Sequence, residues 1–133
     1  MKKGLSISAD LSNLERVEKF INSILDFEEI DERLHGNIIL AVTEGVTNAV
    51  VHGNQNDQHK SVQLEYNSTK DVIGFKIKDQ GNGFDYNNIP DPTLPENIEK
   101  LSGRGVFLIS SLADKVDFQD NGSMLEMHFN LVL

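Results

Sequence analysis

The stretch from Leu34 to Gly53, LHGNIILAVTEGVTNAVVHG, constrains this chain more than any other. At about 3.6 residues per turn it reads as one helix, with Leu34, Ile38, Ala41, Val42, Gly45 and Ala49 on a single stripe that suits a core. Ile39, Val46 and Val50 flank the stripe, and Leu40 and Val51 fall round the back, so the helix is expected to be covered over most of its circumference. Between Gly36 and Val51 the one ionisable residue is Glu44, and Thr47 and Asn48 share its sector, three and four residues on. A lone carboxylate on an otherwise apolar helix is costly unless something polar meets it. The rest of the chain has to supply that partner.

Candidates are bounded by composition. With 12 Lys plus Arg against 21 Asp plus Glu, the formal net charge of -9 argues against nucleic acid as the main partner, because phosphate-backbone binding needs a basic face. A small anionic ligand remains open, since it needs only a local site. No cysteine is present, which excludes disulfides and thiolate metal sites and suggests a reducing compartment. No run approaches the roughly 20 apolar residues of a membrane span, so a soluble cytoplasmic protein with no membrane partner is expected. At 133 residues, the whole of 1–133 reads as a single domain.

In chain order, Leu5–Ala9 alternates as an edge strand. Ser12 and Glu15 have capping-box spacing ahead of a helix to about Phe27. After the long helix, Val62, Leu64 and Tyr66 alternate, then Ile73, Phe75 and Ile77, giving a hairpin with one dry face. Residues 85–102 hold all three prolines and little periodicity, a loop of a length that is usually functional. A third helix is expected from Val106 to about Ala113. Val116 and Phe118 then lie on a strand, Asn121-Gly122 forms a tight turn, and Leu125, Met127, Phe129 and Leu131 alternate on the last strand. Helices and strands are segregated, which predicts an α+β two-layer sandwich: a mostly antiparallel mixed sheet with helices on one face.

Chemistry is concentrated at three places. Glu44 and Asn48 present oxygen atoms of the kind magnesium accepts, or a general base beside a metal ligand; an exposed helical Glu with a neighbouring Asn accounts for the same residues. Asp79-x-Gly81-x-Gly83 ends a strand, where glycines permit close backbone approach and the carboxylate can accept from an amino group such as that of adenine; a ligand-free Asx turn accounts for it equally. Gly103-Arg104-Gly105 opens a helix and offers free amides and a guanidinium to phosphate, or a plain hinge. There is no P-loop, no H-R-D or D-F-G, and no H-E-x-x-H among His35, His52, His59 and His128. His52, at a helix C-terminus where a cation is favoured, reads as structural.

In this order, Glu44-x-x-Thr47-Asn48-Ala49-x-x-His52-Gly53, Asp79-x-Gly81-x-Gly83-Phe84 and Gly103-Arg104-Gly105-x-x-Leu108-Ile109 resemble the N, G1 and G2 boxes of the GHKL ATPase superfamily. Box spacing and chain length resemble, within it, the bacterial anti-sigma factor serine/threonine kinases, over about residues 5 to 131. The resemblance implies the GHKL two-layer fold, with 85–102 as the ATP lid. It implies Glu44 as general base, Asn48 as ligand of the Mg2+ on ATP, and Asp79 as acceptor from the adenine amino group. Gly81, Gly83, Gly103 and Gly105 would give backbone room, Arg104 charge at the phosphates, and Ser123 a hydroxyl where the family usually has threonine. Val106 likewise replaces a common leucine. The activity implied is an ATP-dependent protein serine/threonine kinase that is also an anti-sigma factor. It would bind a sigma factor, phosphorylate a STAS-type anti-anti-sigma protein, and form a homodimer. The alternative is an ATP-dependent partner-binding module with little or no transfer. An isolated ATP-binding half of a histidine kinase is disfavoured, because no room remains for a separate phosphoacceptor domain.

Overall fold

A computed structural model describes residues 4–81, 108–120 and 123–132. Its sheet follows from period-two alternation. Strands β1 (Gly4–Ser8), β2 (Ser61–Ser68), β3 (Val72–Lys78), β4 (Lys115–Gln119) and β5 (Met124–Asn130) assemble in the order β1-β2-β3-β5-β4. All the strand pairings among the described residues are antiparallel, in keeping with the expected mostly antiparallel sheet. As expected, β1 is an edge.

Register places apolar residues opposite one another: Ile7 on Val62, Leu64 on Ile77, Phe75 on Met127 and Ile77 on Leu125. These side chains are buried on one face, while Gln63, Glu65, Lys76, Lys78 and Glu126 alternate onto the other. Phe75 anchors the layer, edge-on to Phe129 at 6.3 Å between ring centres and tilted against Tyr66 at 6.4 Å. Full burial of each such side chain is worth roughly 1.5–3 kcal/mol.

Helix α1 (Leu14–Phe27) buries Val17, Ile21, Ile24 and Leu25 at helical spacing. Its start differs from the expected capping box. Asp10, not Ser12, does the capping: its carboxylate accepts from the Ser12 N–H at 2.9 Å and opens a short tight turn, Leu11–Asn13, ahead of the helix. At the other end Glu29 adopts a left-handed conformation, φ 53°, and the Ile30 N–H donates to the Leu25 carbonyl at 2.9 Å, a helix stop that usually employs glycine.

Helix α2 (Glu32–Asn48) begins two residues before the expected Leu34, because Asp31 caps it by accepting from the Arg33 N–H at 2.9 Å. Ile38, Ala41, Val42 and Gly45 are buried as the stripe requires. Val46 and Val50, expected at the flank, are fully buried as well, whereas Leu40 is 45% exposed, so the back of the helix is open. Past Asn48 the backbone widens through Ala49–Gly53, the Asn54 N–H reaching back five residues to the Ala49 carbonyl at 2.8 Å. Such wide turns are rare and often sit at functional sites. The expected third helix is described over 108–112; its first turn, the 85–102 loop and the Asn121-Gly122 turn lie outside the described residues.

Two glycines of α2 test how closely it meets the sheet. A Cβ on exposed Gly36 would meet nothing within 4 Å, whereas on Gly45 it would lie 2.6 Å from Ile77 Cδ1 and 3.0 Å from Met127 Cε. Gly36→Ala is expected to stabilise the protein by about 0.8 kcal/mol through helix propensity. Gly45→Ala gains the same amount but overpacks at a cost of roughly 1–3 kcal/mol, for a net loss of about 1 kcal/mol. Urea unfolding of both variants measures the difference. A stabilised Gly45→Ala would mean that the helix stands off the sheet.

Candidate functional site

Because β5 inserts beside β3, the C-terminal end of β3 and the start of β5 meet, and the last turn of α2 lies over that junction. Gly45, Asn48, Ala49, Ile77, Asp79, Phe118, Ser123 and Leu125 line one narrow cleft there, about 10 Å3 in volume. Three residues singled out in the sequence, Asn48, Asp79 and Ser123, therefore share a site. Glu44 is half-buried one turn earlier on the same sector of α2 and is not among the lining residues. Gly83, Gly103, Arg104 and Gly105 lie outside the described residues.

Asp79 extends the ladder by one bond, its N–H donating to the Ser123 carbonyl at 2.9 Å. Its carboxylate is 7% exposed and accepts from the Gly81 N–H at 2.8 Å. Burial pushes this carboxyl above its ordinary pKa of 3.8, while the Gly81 hydrogen bond and the Lys60 charge pull the other way. Glycine at 53 is what admits the carboxylate, since a Cβ there would collide with it, and a Cβ on Gly81 would collide with the Gly53 carbonyl. The Asx turn at Asp79 and the end of the long helical stretch at Gly53 are thus one packed unit.

The Asn48 side-chain nitrogen is shut off from solvent and has no hydrogen-bond partner among the described residues, an expense that a core residue seldom carries. A half-turn of the amide exchanges its ends and offers oxygen instead. Neighbouring Thr47 is satisfied within the helix, its hydroxyl donating to the Thr43 carbonyl at 2.9 Å. Ser123 donates its hydroxyl proton to the Asp120 carbonyl at 2.8 Å, so only its oxygen lone pairs remain to face a ligand.

The walls Ile77, Phe118 and Leu125 were read in the sequence as strand residues alone, because period two reports burial and says nothing of which residues face a ligand. A larger cavity of about 640 Å3 lies on the polar face of the sheet, bordered by Glu65, Lys76, Glu126 and His128. Its lining includes none of the candidate site residues. The narrow cleft is the better candidate, because it joins a buried carboxylate to an unpaired amide.

Residues 7–129 match the family described as the histidine kinase-like ATPase domain. The chain is 33% identical over 94 residues to the serine-protein kinase RsbW of Oceanobacillus iheyensis, covering 66% of this chain and 60% of the relative. It is 26% identical over 104 residues to the RsbW of Bacillus subtilis, covering 74% and 62%, and 33% identical over 78 residues to the anti-sigma F factor of Oceanobacillus iheyensis, covering 57% and 53%. These matches thus span about 53–62% of the relatives' lengths. The crystal structure of the RsbU and RsbW domains of Rv1364c from Mycobacterium tuberculosis superposes with a TM-score of 0.60 at 15% identity, over 97% of this chain and 32% of that one, a likeness of fold. With its family match running through nearly all of the sequence, its α+β antiparallel architecture and its kinship to RsbW, the chain belongs to the histidine kinase-like ATPase family.

Proposed function

We propose that this protein is an ATP-dependent serine/threonine kinase and anti-sigma factor, acting on a STAS-type anti-anti-sigma partner. The observation that carries the reading is the pairing, in one cleft, of the buried Asp79 carboxylate with the unpartnered Asn48 amide. The donor set suits a nucleotide. Asp79 would accept from the exocyclic amino group of adenine, Ile77, Phe118 and Leu125 offer apolar walls to the base, and Asn48 would hold Mg2+ through its amide oxygen. Since the cleft is narrow, a base coming to lie beside Asp79 must part those walls. Gly103, Arg104, Gly105 and Gly83 complete the phosphate end in this reading.

Bound Mg2+–ATP supplies the transferable phosphoryl group, a leaving group and charge neutralisation. Glu44 accepts the proton of the partner's serine or threonine hydroxyl as that oxygen bonds to phosphorus and the bond to the leaving oxygen breaks. Helix α2 contributes rigidity, because its buried stripe holds Glu44 and Asn48 at a fixed height above the sheet. Sigma-factor binding belongs to the same proposal, supported by the name of the anti-sigma F factor relative; a homodimeric state and a cytoplasmic location rest on the family resemblance alone. No helix among the described residues is long and apolar enough to cross a membrane.

One observation favours a second reading, an ATP-dependent binding module with little transfer: Glu44 does not line the cleft. Labelled ATP, Mg2+ and candidate STAS proteins separate the two. Wild type is expected to label a partner hydroxyl. Glu44→Gln should bind ATP normally but transfer about 100-fold or more slowly, and Asn48→Ala should lose the Mg2+-dependent part of its affinity. Transfer at the wild-type rate by Glu44→Gln would remove the general-base role. ATP binding without any transfer by wild type would leave the binding module standing.

Asp79 gives a test in pH. A carboxyl whose folded pKa is raised binds its proton more tightly in the native state, so its ionisation costs stability as pH rises from about 3.8 through the folded value. Asp79→Asn is therefore expected to raise the apo melting temperature at pH 7, with the gain shrinking as pH falls toward 3.8. The same variant should bind ATP roughly 10- to 100-fold more weakly through loss of a charged acceptor. Thermal unfolding and calorimetric titration measure the two effects, and an Asp79→Asn protein less stable than wild type at pH 7 would contradict the first.

A further inference from the structure

Asn54, directly after the Leu34–Gly53 stretch, is completely buried. Both ends of its side-chain amide are used: the nitrogen donates to the Ser61 carbonyl at 2.9 Å, and the oxygen accepts from the Gln80 N–H at 2.8 Å. The Ser61 N–H in turn donates to the Gln80 side-chain oxygen at 2.7 Å. One closed set of bonds thus ties together the end of α2, the start of β2 and the residue directly after Asp79.

Its surroundings are equally determined. Gly53, one position earlier, packs on the Asp79 carboxylate, and its carbonyl abuts Gly81. Gln55 and Asn56, next in sequence, are held in left-handed conformations at φ 54° and 58°, and the Asn56 N–H donates to the Val50 carbonyl at 2.9 Å. Non-glycine residues adopt such angles rarely, and two in a row persist where the surroundings fix them.

We infer that Asn54 is a positioning residue for base recognition: it holds the Asp79–Gly81 turn against the last turn of α2, so that the carboxylate that reads the base stays registered with Asn48. This rests on the reading of Asp79 as the acceptor for adenine. The amide suits the task because it is directional. Its partners are one acceptor and one donor, and no apolar residue of the same shape satisfies either, whereas a residue that merely filled the core would need neither bond.

The test is calorimetric titration of the full chain with ATP and, separately, GTP, which carries a carbonyl where adenine has its amino group, alongside thermal unfolding. Wild type should prefer ATP, and Asp79→Asn should lose that preference. Asn54→Ala is expected to reduce the ATP-to-GTP affinity ratio about tenfold at temperatures where it is fully folded. Asn54→Asp, which keeps an acceptor for the Gln80 N–H, should retain most of the ratio even though its melting temperature falls. Should Asn54→Ala fail to fold, Asn54→Ser takes its place in the comparison. A wild-type ratio in Asn54→Ala with a lowered melting temperature would make Asn54 a fold staple alone and overturn the inference, while Asp79 stood. Absence of any ATP preference in wild type, with Asp79→Asn unchanged, would overturn the reading of Asp79 and this inference together.

Discussion

The close approach of α2 to β3 and β5 is the contact on which the rest depends. A methyl group at Gly45 would press on the side-chain ends of Ile77, Leu125 and Met127. That approach sets the height of everything further along the helix. Asn48 reaches the cleft, Gly53 meets the Asp79 carboxylate, and Asn54 can bond across to Ser61 and Gln80. A helix standing a methyl's width further out would forfeit all of these contacts at once. Protein interiors resist such graded displacement because they are close-packed.

The site opposes the fold at two atoms. The Asp79 carboxylate is buried at a cost that raises its pKa, and the Asn48 amide nitrogen is buried without a partner among the described residues. Each is the kind of group that core-building removes and ligand-binding retains. The fold compensates with bonds that involve no ligand: Asp79 to Ser123, Gly81 to Asp79, and the amide of Asn54 at both ends. These bonds restrict the costly groups to one arrangement, so that the apolar walls are what must move when a base enters.

Much of this was legible in the sequence, for physical reasons that differ by element. Strands β2, β3 and β5 could be read because alternation follows directly from burial on one face. The stripe of α2 could be read because Gly45 and the valines leave little freedom in which side packs. The helix starts were less legible: Asp10 and Asp31 captured the caps, and the sequence offers several oxygen-bearing residues at similar spacing before each helix. The wide turn at Ala49–Gly53 left no periodic trace, since apolar residues continue straight through it. Asp79 and Asn48 stood out by type and spacing. Asn54 did not, because its partners lie 7 and 26 residues away, and the Gln80 partner is a backbone N–H that no side-chain pattern reports.

The position of Glu44 bears on how such a site acts. Asn48 lines the cleft and Glu44 does not, yet the two share a helix whose buried face is continuous from Ile38 to Val50. A rigid helix places Glu44 four residues, about 6 Å along the axis, from Asn48. In the proposed kinase, this offset keeps the proton acceptor outside the pocket that encloses the base. A substrate hydroxyl presented by a protein partner must come from outside, and an acceptor sealed among Ile77, Phe118 and Leu125 would be out of its reach. The same apolar stripe that builds the core therefore leaves Glu44 half-buried, one turn before Asn48, which lines the cleft.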